Sequence, residues 1–232
     1  MSGQAIPLAL ADGREVAIEV RRSARARRLI LRVDQTGGVT LVLPSLVRLG
    51  EAKDFLHRHQ GWIEGRLAKL PASLPFAPDA LVPYLGQDRR IRHRPEARGT
   101  VWLEGEELHV AGKPEHLPRR VTDWLKAEAR RQLGEEARRR AALLGRPLGR
   151  ITVRDTRSRW GSCSSKGDIS LCWRLILAPD FVRDYVVAHE VAHLAEMNHG
   201  PRFWRLVEQQ GVDRKAAQRW LKLNGPRLHR YG

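Results

Sequence analysis

Apolar positions recur on a short period through the first part of the chain. REVAIEVRRS, RRLILRVDQTG and GVTLVLP are aliphatic and β-branched runs punctuated by glycine, aspartate and proline, a pattern that predicts three short antiparallel strands. Gly37-Gly38 is the expected tight turn between the last two. The period then lengthens. LGEAKDFLHRHQGWIEGRLAKL carries Phe55, Leu56, Ile63 and Leu67 on one stripe and predicts an amphipathic helix, weakened at its middle by Gly61. PASLPFAPDALVP holds four prolines in thirteen residues and reads as a linker, followed by short strands near 89–93, 101–103 and 108–110.

From 116 to 144 the pattern is helical, with Val121, Trp124, Leu125, Ala129, Leu133 and Ala137 on one face and a solvated arginine and glutamate face opposite. ITVRDTRSRWGSCSSKGDISLCWRLILAP reads as a strand, a turn-rich stretch and a second strand, together a hairpin. Ala178-Pro179-Asp180 is a start signal for a further helix, and two amphipathic segments, 201–210 and 214–223, precede a short basic tail. No internal repeat is evident. These elements predict an α+β chain with a β-rich region over 1–112 and a helix-rich region over 113–232.

The helix entered at Phe181 contains the stretch VVAHEVAHLAEMNHGPRFW, in which three histidines and two glutamates interrupt an apolar segment. His189 and His193 are four apart, so they lie one above the other on a single helix face and both imidazoles reach one ion. Glu190 sits beside them, placed to touch a water on that ion without ligating it, which is the HExxH arrangement. An unpaired carboxylate in a buried helix is costly without a partner or a chemical role. A catalytic zinc takes three protein ligands and keeps one position open for water, so a third ligand is needed. His199 is the candidate. In an unbroken helix it would point about 120° away from the other two, so the helix must end before it. Asn198 and Gly200 tolerate left-handed backbone and predict a reversal just past Met197.

The span from His189 to His199 also has the HExxHxxGxxH spacing, but Glu196 occupies the glycine position and no Met-turn follows, which argues against that class. Glu196 is a weaker alternative ligand, or a solvated carboxylate beside the site. Zinc at these histidines would acidify its water and polarise a carbonyl, with Glu190 as general base. The reaction also needs a stabiliser for the oxyanion, for which Tyr185, Arg157, Arg159 and His229 are candidates. Phe203 and Trp204 read as packing that fixes the turn carrying His199.

RSRWGSCSSKGDISLCWRL followed by DYVVAHEVAHLAEMNHGPRFW resembles the YgjP-like metallopeptidase family, related to SprT-like and wider gluzincin-type proteases, and the resemblance runs from Arg21 to Leu223. It implies a zincin-like metalloprotease domain, with the HExxH helix packed on a small antiparallel or mixed sheet. It further implies one Zn2+ per chain held by His189, His193 and His199, with Glu190 as general base and a peptide or protein as substrate. Val191 stands where the family more usually has leucine and Gly200 where serine is common, and neither change alters the ligand set. In similar zinc proteases a strand beside the metal helix offers its edge to an extended peptide. The strand at 168–175 is the expected one, with Trp160, Gly161 and Ser162 forming the substrate-binding loop. For Trp160 the competing reading is packing in the core.

Charge adds a second line. The formal net charge is +16, carried by 35 arginines and 7 lysines against 26 acids, an electrostatic footprint that fits a polyanionic partner such as nucleic acid. No base-reading module accompanies it. Alternatives to a simple peptidase are therefore a DNA-associated SprT-like protease, a metal-dependent nucleotide or phosphate hydrolase, and a metal-binding module without turnover, which the intact Glu190 argues against. No apolar run approaches the roughly 20 residues of a membrane helix, and MSGQAIPLALADGR has no basic region followed by a long apolar one, so a cytoplasmic location is expected. Cys163 and Cys172 are too few for a disulfide framework and are expected to be reduced thiols.

Overall fold

A computed structural model describes residues 4–34, 37–70 and 72–232. They form two compact units, Met1–Ala72 and Ser73–Gly232. In the first, strands β1 (Gln4–Ala9), β2 (Glu15–Ser23), β3 (Ile30–Val33) and β4 (Val39–Pro44) make one sheet in the order β1-β2-β4-β3. The outer pairs are antiparallel and the central pair, β2 with β4, is parallel. The expected set of three antiparallel strands thus omits β1 and mistakes the centre of the sheet. The chain crosses to the far edge over residues 24–29 before turning back, which makes β4 run alongside β2. The turn itself is where the glycines predict it: Gly37 has φ +85°, and the Gly38 N–H donates to Asp34 Oδ1 at 3.0 Å. Val39, Leu41 and Leu43 alternate into the core. The expected single helix divides at His59 into α1 (Leu49–Arg58) and α2 (Gln60–Ala68), which bury Ala52, Leu56 and Ile63.

The second unit opens with β5 (Leu81–Tyr84), β6 (Gln87–Arg94), β7 (Val101–Glu104) and β8 (Glu107–Ala111), in the order β5-β6-β8-β7. Its outer pairs are antiparallel and its central pair parallel, strand for strand the arrangement of the first sheet, and each sheet is followed by helix. The chain therefore contains a structural repeat that its side chains do not display. β5 lies inside the proline-rich stretch read as a linker. It is an edge strand, where Pro83 can sit without removing a ladder hydrogen bond. Further upstream, Leu74 is also fixed in place, donating to Arg230 O at 2.8 Å and accepting from the Gly232 N–H at 3.1 Å.

Helix α3 (Leu117–Leu143) buries Val121, Leu125, Ala129, Leu133 and Ala137 of the stripe its sequence predicts, and Trp124 is partly buried against the same core. These residues share one core with Val82, Ile91, Leu108 and Val110 of the preceding sheet. That sheet and α3 thus lie together in the unit Ser73–Gly232, and the expected boundary near 112 is not where the units divide. β9 (Ile151–Arg154), β10 (Gly161–Cys163) and β11 (Ile169–Cys172) then form a mixed sheet in the order β10-β11-β9, with β10–β11 antiparallel and β9–β11 parallel. The turn-rich stretch thus holds a strand of its own. After a 3-10 turn at Trp173–Leu177 come α4 (Asp180–Ala192), α5 (Pro201–Gln209) and α6 (Arg214–Leu228). α6 includes Pro226 and continues beyond 223, where a basic tail is expected. Buried Arg174 closes this end, donating to Leu228 O at 2.9 Å, to Tyr231 O at 2.6 Å and to Asp155 Oδ1 at 3.0 Å. Cys163 and Cys172 are both free thiols. Among the described residues no helix is long and apolar enough to cross a membrane.

Candidate metal centre

α4 lies on the mixed sheet and α3, burying Val182, Val186, Val187 and Val191. Full burial of a valine side chain stabilises by roughly 1.5–3 kcal/mol, enough to hold the last turn of this helix in register with the sheet. That last turn carries His189 and Glu190, and His193 is the residue that closes it. The helix thus ends earlier than the reversal expected at Met197. Glu196 N–H returns to Ala192 O at 3.0 Å, and Gly200, with φ −79° and ψ −177°, is extended backbone that begins α5. Neither Asn198 nor Gly200 adopts left-handed geometry.

The reversal brings His199 back over the helix. One donor nitrogen from each of His189, His193 and His199 lies within 4.8 Å of the others, and His189 Nε2 is 3.1 Å from His199 Nε2. Two nitrogens on one tetrahedral zinc, at bond lengths of about 2.0–2.1 Å, would be about 3.3 Å apart. His193 Nδ1 is 3.0 Å from Glu196 O, a contact that places the ring proton on Nδ1 and leaves Nε2 bare. Burial, with the neighbouring His193, His199 and Arg214, pushes the His189 pKa down to about 4, so this imidazole is neutral at neutral pH as a ligand must be. The donor set fits a zinc-like ion. Glu196 serves through its carbonyl, and its carboxylate is outside the cluster.

Phe203 is fully buried among the three imidazoles, its ring centroid 4.9, 4.5 and 4.6 Å from those of His189, His193 and His199. Trp204 lies 5.8 Å from His189 and 5.6 Å from His199. The first turn of α5 therefore holds the His199 loop by aromatic packing, as its sequence predicts. On the outer side of Trp204 the Arg214 guanidinium stacks 3.3 Å from the ring centroid. Arg214 gives no signal in the sequence, because its place depends on α6 folding back against α4.

Glu190 is 6% exposed, and burial pushes its pKa up to about 7 against the opposing charge of Arg159. Among the described residues no group donates a hydrogen bond to it. Gly161 makes room for it: a Cβ there would lie 2.5 Å from Glu190 Oε1 and 2.6 Å from its Cγ. Gly161 thus passes directly beneath the carboxylate, a role that only the folded chain reveals. Trp160 stacks on His229 at 4.9 Å and packs against the core. Ser162 pairs with Ser170 across β10 and β11.

A cleft of about 310 Å³ opens over Glu190 and His189, walled by Arg159, Trp160, Gly161 and Tyr185. Tyr185 and Arg159, two of the four oxyanion candidates, thus reach it. His229 and Arg157 are not among its walls. The Tyr185 hydroxyl accepts from Gln218 Nε2 at 2.9 Å, so its own proton is not used in that bond. Burial raises the Tyr185 pKa, which keeps the phenol protonated. The expected substrate strand is corrected here. β11 is the middle strand, paired on both sides, so no peptide can be added to it. The free edge beside α4 belongs to β10. Cys172 N–H donates to Trp160 O and Ser164 N–H to Asp168 O, so by alternation the backbone groups of Gly161 and Cys163 point to the open edge.

An α+β chain that converges three imidazoles beside a buried carboxylate and an open strand edge has the parts of a metal-dependent hydrolase. Residues 27–224 match the family described as YgjP-like, metallopeptidase domain, and the chain belongs to that family. It is accordingly a metallopeptidase, with a metal cofactor and peptides or proteins as its substrate class. No curated protein gives a match. Among solved structures, the metallopeptidase zymogen of Pyrococcus abyssi abylysin aligns at 23% identity over 43% of this chain and 97% of its own, with a TM-score of 0.36, too low to establish a shared fold.

Proposed function

We propose that the chain is a zinc metallopeptidase in which His189, His193 and His199 hold the ion and Glu190 is the general base. The observation that carries this reading is the convergence of three donor nitrogens within 4.8 Å beside a buried carboxylate that accepts no hydrogen bond from the described residues. Zinc held by these three imidazoles would acidify a water and polarise the scissile carbonyl. Glu190 accepts the water's proton and returns it to the leaving amine. The substrate lies extended along β10, bonded to the backbone of Gly161 and Cys163, and Ser162 and Trp160 border it. Tyr185, oriented by Gln218, donates a hydrogen bond to the developing oxyanion through its phenolic hydroxyl. Acyl transfer is favoured over phosphate hydrolysis because Arg159 is the one cation among the described residues that line the cleft.

The test is elemental analysis of the purified chain, together with peptide hydrolysis, for the wild type, His199→Ala and Glu190→Gln. One zinc per chain is expected in the wild type and in Glu190→Gln, and loss of zinc in His199→Ala, with hydrolysis in the wild type alone. Full zinc occupancy in His199→Ala would overturn the ligand assignment, and undiminished hydrolysis by Glu190→Gln would overturn the base.

A further inference from the structure

The mixed sheet that carries the open edge has two unlike faces. Gly161, Leu171 and Val153 are paired across its three strands, and this row faces α4 and the core. One residue further along each strand, Ser162, Ser170 and Thr152 are paired in the same way, so three hydroxyls form a row on the opposite face. That face floors a groove of about 430 Å³ whose walls include Arg150, Arg154 and Arg159. All three arginines are exposed, and among the described residues none has a carboxylate within ion-pairing distance. Asp168, the acid in the groove, is turned onto the backbone: its Oδ1 accepts from the Arg150 N–H at 2.8 Å. Arg159 borders both this groove and the cleft over Glu190.

We propose that this groove is a subsite for acidic side chains of the polypeptide substrate, an assignment that rests on the peptidase reading above. A peptide paired with β10 would point alternate side chains to opposite faces of the sheet. One set faces Glu190, and the other faces the arginines and hydroxyls. Guanidinium groups bond carboxylates in a fork, and serine and threonine hydroxyls supply further donors. The groove selects aspartate and glutamate at positions flanking the cleaved bond. Nucleic acid fits the same charge less well, because no aromatic ring among the described lining residues offers a stacking surface for bases.

The experiment measures binding of two fluorescent decapeptides, one rich in glutamate and one with glutamine in its place, to the full-length Glu190→Gln chain at low salt. The glutamate peptide is expected to bind about tenfold tighter, as two or three exposed charge pairs would give. Adding Arg150→Gln and Arg154→Gln should abolish the preference, with Arg154→Gln alone giving part of the loss. Arg130→Gln with Arg138→Gln, which removes the same charge from the exposed side of α3, should preserve it. Equal binding of the two peptides, or a preference that survives loss of Arg150 and Arg154, would overturn the subsite. Tighter binding of a single-stranded oligonucleotide of equal charge, weakened by the same pair of changes, would assign the groove to nucleic acid instead. Zinc content and wild-type turnover of both peptides are measured in parallel. An acidic preference without turnover leaves the subsite and removes the peptidase reading, and turnover without acidic preference does the reverse.

Discussion

Gly161 and Glu190 meet across two elements, and the contact is close enough to be tested by one methyl group. A Cβ at Gly161 would sit 2.5 Å from Glu190 Oε1, so Gly161→Ala must displace the carboxylate or the strand. Because misplacing a catalytic group by about 1 Å costs on the order of a hundredfold in rate, kcat/KM should fall by about that factor. Zinc content should be unchanged, since the three imidazoles do not touch this position. Loss of metal alongside activity would mean that the glycine supports the whole helix instead. Tyr185→Phe removes only the hydroxyl held by Gln218. It should lower kcat by roughly a hundredfold with little change in KM, the pattern of a contact made only in the transition state, and an unchanged kcat would exclude the phenol from oxyanion binding. The histidines and Glu190 are legible in the sequence because their spacing is local to one helix. Gly161, Gln218 and Arg214 are not, because each takes its role from a residue far along the chain.

The element that decides whether the histidines converge is α5. Its first turn places Phe203 against all three imidazoles and Trp204 against two of them. Phe203→Ala should therefore destabilise the chain by about 3–5 kcal/mol, the usual cost of emptying a buried aromatic site, and weaken zinc retention against a chelator. A fall in melting temperature with unaltered chelator resistance would show that the His199 loop is held by other contacts. A strong amphipathic period made α3 readable to within a residue or two, and Pro179 marked the start of α4, whose end at Ala192 came earlier than the reversal expected past Met197. Short strands were harder to read. β5 lies among prolines, β10 is three residues inside a turn-rich stretch, and β1 precedes the first clear alternation. Pairing direction was less accessible still, because the parallel centres of both four-stranded sheets depend on crossovers, not on residue pattern.

At the scale of the whole chain, each unit encloses its own core. The buried cluster of the first unit runs from Ile6 to Ile63, that of the second from Phe76 to Tyr231, and no buried residue belongs to both. Both units repeat one strand plan, yet the second alone adds the mixed sheet, α4, α5 and α6 that bring the three candidate ligand histidines together. The repeat escapes the sequence because β2 reads EVAIEVRRS and β6 reads QDRRIRHR, so the shared topology survives without shared side chains. Since every candidate ligand, Glu190, Tyr185 and the open edge of β10 lie after Ser73, residues 73–232 expressed alone should unfold cooperatively and hold one zinc. The same fragment should cleave short neutral peptides at a rate within a few-fold of the full chain, because the described residues that line the groove and cleft all belong to it. A folded, zinc-bearing fragment without turnover would instead assign the first unit a direct part in the reaction, and a fragment that fails to fold would show that the second core depends on the first for its stability.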